Sequence, residues 1–210
     1  MSSTKSFILR GLGFLPTKHP STTRVLTLAN AVTAIGLLAS LLYGALVLLK
    51  GTEASAYTCF ALVCVAVVSD VLDGFLARAM NQCTRLGSII DPWRDRVLGL
   101  VVVIHMVTTI SSASTALIGG AIVIVELLTA FTNANNPPRH VHTLGKVRMG
   151  VHAGAAVLFL TTPILTEYSN VPFQTPVVGT DTLLILMLIA SILAFASYAF
   201  HWERGSRDAA

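Results

Sequence analysis

Apolar residues in this chain come in runs near twenty, separated by short polar stretches. A bilayer core of about 30 Å takes roughly 20 residues of helix. On that ruler the runs predict six spans, at about 25–49, 54–79, 93–112, 114–132, 146–166 and 180–200. The longest gaps fall at 80–92, 133–145 and 167–179. Ahead of the first span, Phe7, Ile8, Leu9, Leu12, Phe14 and Leu15 sit beside Lys5, Arg10 and Lys18, a mixture suited to a short helix lying in the membrane interface. The expected fold class is therefore an all-α integral membrane protein: six transmembrane helices with a short N-terminal interfacial helix. Residues 1–24 form the cytoplasmic or interfacial segment, 25–200 a single six-span domain and 201–210 a cytoplasmic tail. Ala54-Ser55-Ala56 has the small residues of a signal cleavage site, but signal h-regions run about 7–15 residues and the stretch before it is longer.

Composition agrees. Of 210 residues, 54% are hydrophobic and 11% charged, against about 25% charged in a soluble chain. Soluble, disordered and disulfide-stapled secreted classes are thereby excluded. Cys59, Cys64 and Cys83 are odd in number, lack Cys-x-x-Cys spacing and read as structural.

Charge then orients the spans, because Lys and Arg collect in cytoplasmic loops. Lys5, Arg10, Lys18, Arg24, Arg78, Arg85, Arg94, Arg96, Arg139, Lys146, Arg148, Arg204 and Arg207 all fall on one face of the six-span arrangement, and Lys50 falls on the other. Both termini are placed in the cytoplasm, in a bacterial-type inner or plasma membrane. Most of these cations read as topogenic charges that also attract anionic lipid. They form no separate basic domain, so nucleic acid is not an expected partner.

The acidic residues carry the chemistry. Glu53, Glu167, Asp181, Glu203 and Asp208 read as loop or tail charges, whereas Asp70, Asp73, Asp91, Asp95 and Glu126 lie within spans or at their ends. An Asp at a helix centre costs about 2.5–3.5 kcal/mol and usually faces a cavity, an ion path or a partner. Asp70, Asp73, Gly74, Ala77 and Arg78 recur every three or four residues on one face of the second span, and Asp91 and Asp95 stack one turn apart on the third. The intervening stretch 81–90 is expected to fold back, turned at Gly87, and to bring the two pairs together. Four carboxylates in one pocket call for cations, and oxygen-only donors suit Mg²⁺ or Mn²⁺ better than Zn²⁺. Two such ions can hold a pyrophosphate as a phosphorus–oxygen bond breaks. Gly74 and Ala77 offer a nucleotide close approach to the helix backbone, although small residues also serve helix packing. Arg78 reads either as a phosphate contact or as the partner of an Asp.

The run Asp70-Val-Leu-Asp73-Gly74-Phe-Leu-Ala77-Arg78, followed by Gly87, Asp91 and Asp95, resembles the signature of the CDP-alcohol phosphotransferase family at every fixed position across 26 residues. The resemblance implies a homodimeric membrane enzyme that transfers a phosphatidyl-type group from a CDP-linked lipid such as CDP-diacylglycerol to a small polar alcohol and releases CMP. By position, Asp70, Asp73, Asp91 and Asp95 would hold two divalent cations, Mg²⁺ or Mn²⁺, and Asp95 would also be the base that takes the acceptor's proton. Gly74, Ala77, Arg78 and Gly87 would contact the CDP moiety. Asn30 and Thr33, in an Asn-x-x-Thr pattern, resemble a further element near the nucleotide.

The acceptor is less legible. Pro92 after Asp91, the segment Leu144-Gly145-Lys146-Val147-Arg148 and Glu126 resemble the phosphatidylglycerolphosphate synthase branch, which implies glycerol 3-phosphate. Departures stand beside these: Gly36 occupies a position where that branch commonly has arginine, and Arg96 replaces its usual lysine. Inositol phosphate, inositol, serine and phosphatidylglycerol are the other acceptors. A phosphorylated acceptor needs fixed cations, for which Arg139, Lys146 and Arg148 are the candidates. His152 lies one turn from Arg148, yet like His105 and His201 reads as a packing or hydrogen-bonding residue; His140 and His142 read as loop residues. Intramembrane prenyltransferases need more spans and another Asp spacing. A carboxylate-lined transporter would leave the Gly-x-x-Ala-Arg portion without a reason.

Overall fold

The computed structural model describes residues 27–51, 54–80, 84–135, 143–169 and 177–207, and every regular element within them is α-helical. The interfacial helix expected within 1–24 lies outside the described residues. Six helices follow in order: α1 Leu28–Lys50, α2 Ala56–Ala79, α3 Arg85–Ile110, α4 Ala113–Asn135, α5 Thr143–Ser169 and α6 Val177–Arg207. Local chemistry sets several of their ends. The Asn30 N–H donates to Thr27 Oγ1 at 3.2 Å, an N-cap that satisfies a donor with no partner inside the helix. Gly51, at a φ of 54°, turns the chain out of α1. Ser111, at a φ of 51°, does the same after α3, and Ser112 Oγ then caps α4 by accepting from the Thr115 N–H at 3.1 Å.

Among the described residues, five helices are long and apolar enough to cross a bilayer: α1, α2, Ala113–Thr132 of α4, Leu144–Leu165 of α5 and Gly179–Ala199 of α6. The chain is thus a multi-pass, all-α integral membrane protein. The third expected span differs from its neighbours. Helix α3 begins at Arg85, well before position 93, and carries Arg94, Asp95 and Arg96 ahead of an apolar part that ends at Ile110. A hydropathy ruler detects only that apolar part. The expected gap at 80–92 is consequently mostly helix, and Gly87 lies inside α3 instead of turning a loop. At the other end of the chain, α6 continues through the expected tail to Arg207.

Two compact units divide the chain. The first comprises Met1–Leu49 and Thr58–Leu98, and its described part is most of α1, most of α2 and the N-terminal half of α3. On α1 the buried stripe is Ala29, Thr33, Gly36, Ala39, Ser40, Tyr43, Gly44 and Val47, with small residues in most places. Such stripes let helix backbones approach closely where lipid provides no hydrophobic drive for association. On α2 the stripe Cys59, Val63, Ala66, Ser69 and Asp73 starts apolar and turns polar toward its C-terminal end. The opposite faces show Ile35, Leu38, Leu41, Val65, Val68 and Val71, the surface a lipid-facing helix presents.

The second unit, Lys50–Tyr57 with Gly99–Ala210, holds the rest of α3 with α4, α5 and α6. Here α6 packs on both α4 and α5. Glycine allows two of its close approaches: a Cβ at Gly119 would come within 2.6 Å of Val107 Cγ2, and one at Gly145 within 2.5 Å of the Tyr198 hydroxyl. Asp181, expected in a loop, lies in α6 and accepts from Ser114 Oγ and Thr115 Oγ1 at 2.7 Å each, tying the starts of α4 and α6 together.

Candidate active site

Toward the C-terminal end of α2 the buried stripe includes Asp73, which is 4% exposed and therefore needs partners for its charge. It has two. Thr33 of α1 donates to Asp73 Oδ2 at 2.8 Å, while its own backbone neighbour Ala29 O lies 3.1 Å from the same hydroxyl. Arg94 of α3 donates through Nη1 to Asp73 Oδ2 at 2.5 Å.

That guanidinium is the centre of the cluster. Arg94 is 2% exposed, its Nη2 also donates to Asp70 Oδ1, and Asp95 Oδ1 lies 3.6 Å from Nη2. Three carboxylates from two helices thus surround one buried cation. Asp70 and Asp73 reach it because they lie three residues apart on α2 and share a face. Beside the cluster, Gly36 lets α1 and α2 approach closely, since a Cβ there would collide with the Ser69 hydroxyl.

The other expected nucleotide contacts fall around this centre as follows. Gly74 is partly buried, and the Arg78 guanidinium folds back over it, with Nη1 3.4 Å from where a Cβ would stand. Arg78 itself is exposed and Ala77 partly buried. Asn30 Oδ1 accepts from Thr84 Oγ1 at 3.0 Å, which ties the start of α1 to the residue preceding α3. The backbones of Gly87 and Asp91 lie in α3, and the position of the Asp91 side chain is outside the described residues.

Within the described residues no group of three His, Cys, Asp or Glu stands ready as a metal cage. The Arg94 guanidinium lies between the carboxylates of Asp70 and Asp73. The donor set nevertheless fits a hard divalent ion: it is all oxygen and already gathered on one positive charge. Arg94 was expected only as a topogenic charge. Its position inside the Asp91–Asp95 stretch was the available signal, since a cation flanked by motif carboxylates is well placed to enter their pocket.

In the second unit, Arg148 of α5 is buried and donates through Nη1 to Glu126 Oε2 of α4 at 2.6 Å. Ser191 of α6 donates to Glu126 Oε1 at 2.9 Å. His152 Nδ1 lies 2.9 Å from the Arg148 carbonyl oxygen and is the donor there, with Nε2 at 3.5 Å from Ser191 Oγ. His152 and His105 keep the packing role expected of them, His105 edge-on to Phe159 with ring centroids 5.3 Å apart. Of the three cations expected for a phosphorylated acceptor, Lys146 is exposed and Arg148 buried, because two residues along a helix point to different sides. Arg139 lies outside the described residues.

A polytopic helical protein with a motif of paired aspartates gathered on one cation is the class that these features define. The family model for CDP-alcohol phosphatidyltransferase matches residues 26–203, and the chain belongs to that enzyme family. It is similar to CDP-diacylglycerol–glycerol-3-phosphate 3-phosphatidyltransferase of Escherichia coli (strain K12), with 50% identity over 44 residues, which is 21% of this chain and 24% of that relative. The proteins of the same description from Escherichia coli O157:H7 and Shigella flexneri serotype 5b match at the same 50% identity and coverage. The similarity thus spans about a quarter of the length of these curated relatives.

Proposed function

We propose that this protein transfers the phosphatidyl group of CDP-diacylglycerol to glycerol 3-phosphate and releases CMP. The observation that carries the reading is the convergence of Asp70, Asp73 and Asp95 on one buried positive charge within the family's motif. The choice of acceptor is supported by the activity for which the relatives are named and by the Pro92, Lys146 and Glu126 features of the sequence.

Asp70, Asp73, Asp91 and Asp95 would hold two divalent cations, Mg²⁺ or Mn²⁺, which when bound neutralise the pyrophosphate charge. The chain's own residues do the rest. Thr33 fixes one oxygen of Asp73 and so orients that carboxylate. Gly74, with Ala77 and Gly87, leaves the helix backbones open to the cytidine diphosphate, and Arg78 and Asn30 supply polar contacts to it. Asp95 takes the proton of the acceptor hydroxyl as its oxygen forms a bond to the lipid-side phosphorus and the bond from that phosphorus to CMP breaks. For the acceptor's phosphate, Arg139 and Lys146 are assigned as fixed cations, while Arg148, engaged with Glu126, positions the start of α5.

In the same reading α3 is the third of six crossings within a 25–200 domain, its charged N-terminal half lying at the cytoplasmic membrane surface. The distribution of Lys and Arg supports both termini and the reaction lying on that side of a bacterial-type inner membrane, and the proposed working form is a homodimer. The test is CMP release from labelled CDP-diacylglycerol by purified protein with Mg²⁺ or Mn²⁺. Glycerol 3-phosphate is compared with inositol phosphate, inositol, serine and phosphatidylglycerol. Selective turnover with glycerol 3-phosphate supports the full reading, another preferred acceptor replaces only the acceptor, and no CMP with any of them refutes it.

A further inference from the structure

The carboxylate cluster contains its own cation. Arg94 is among the most deeply buried side chains described, and it bonds Asp70 and Asp73 with Asp95 close by. A guanidinium presents donors in a rigid planar fork, so it matches two carboxylates at once and neutralises part of their mutual repulsion. Thr33 donates to the same Asp73 oxygen as Arg94 Nη1, so donors from two further helices hold that carboxylate in place.

The oxygens that Arg94 occupies are the ones assigned above to divalent ions. We propose that Arg94 is a tethered counter-ion that competes with a divalent cation for Asp70 and Asp73, so that an ion enters only as the guanidinium swings out of the cluster. This rests on the reading of the four aspartates as metal ligands and adds a threshold to it. With Arg94 in place the carboxylates stay paired at low metal concentration and hold the three helices together. Once the pyrophosphate arrives, its negative charge offers the displaced guanidinium a new partner.

The competition is read by Mn²⁺ binding, using the electron paramagnetic resonance signal of the free ion, with purified full-length protein in detergent and no CDP-lipid. Arg94→Gln keeps a long polar side chain but removes the charge, and is expected to bind Mn²⁺ at least tenfold more tightly than the wild type. Arg94→Ala should do the same, whereas Arg94→Lys, still cationic, should stay within about threefold of the wild type. Adding Asp73→Asn to Arg94→Gln should abolish the gain. Each variant is checked for an intact thermal unfolding transition, and Arg94→Gln serves where Arg94→Ala fails to fold. An Arg94→Gln protein that folds yet binds Mn²⁺ no more tightly than the wild type overturns the proposal, as does a gain that survives Asp73→Asn. CMP release by the wild type is measured separately, so a failed competition and a failed enzymatic reading give different results.

Discussion

Two buried arginines organise this protein, and their surroundings differ. Arg148 meets one carboxylate, Glu126, whose second oxygen is filled by Ser191, so the charge balances and the hydrogen bonds are satisfied. Arg94 meets Asp70 and Asp73 directly and has Asp95 beside it, so three carboxylates share this one buried cation. A balanced pair of this kind joins helices, here α4, α5 and α6. A cluster in which several carboxylates share one cation is, in the proposed function, where divalent ions would meet the pyrophosphate.

The largest effect expected from this contrast is at the unbalanced cluster. Asp95→Asn should lower CMP release by about 10²–10⁴-fold, the range for removing a general base, with CDP-lipid binding retained in an equilibrium binding assay. Near-wild-type turnover would remove Asp95 from the chemistry. Chelation with EDTA should likewise abolish CMP release, and Mg²⁺ or Mn²⁺ should restore it.

At the balanced pair the expected loss is of stability. Glu126→Gln leaves Arg148 buried without its counter-charge, for which about 3–5 kcal/mol is typical. The change should appear as a lowered thermal midpoint in detergent. Replacing both partners, Glu126→Leu with Arg148→Met, should recover most of it, because a buried pair exchanged for apolar residues is often neutral. If the single and double variants were equally unstable, the pair would be doing something other than cancelling charge.

A smaller effect is expected at Thr33. Thr33→Val removes one hydrogen bond to Asp73, a contribution of about 1 kcal/mol. That corresponds to roughly a fivefold fall in turnover if the bond orients the carboxylate for catalysis, and CMP release against CDP-lipid concentration would measure it.

Much of this was readable from the chain itself, for reasons that differ by region. The apolar runs marked α1, α2, α4, α5 and α6 because bilayer thickness demands a nearly fixed length of helix. The facing of Asp70 and Asp73 followed from helical spacing. Helix α3 was misjudged at its start because its first residues belong to a polar motif and hydropathy does not register polar helix. The partners of Arg94, Arg148 and Asp181 escaped for another reason. Each contact joins residues distant in sequence, such as Arg94 with Asp70 and Asp181 with Ser114, and depends on packing that no local pattern encodes. Gly36 shows the point at a single position: it stood out in the chain only as a departure from arginine, and it proves to be where a Cβ would collide with the Ser69 hydroxyl of α2.

The most direct test of the central claim is the divalent-dependent formation of CMP by the purified protein from CDP-diacylglycerol and glycerol 3-phosphate, run alongside Asp95→Asn. The account predicts product with wild type plus Mg²⁺ or Mn²⁺, and loss of it with EDTA or with the variant. CMP release that ignored both chelation and Asp95→Asn would contradict it, as would wild-type protein that bound CDP-lipid and released no CMP with any acceptor.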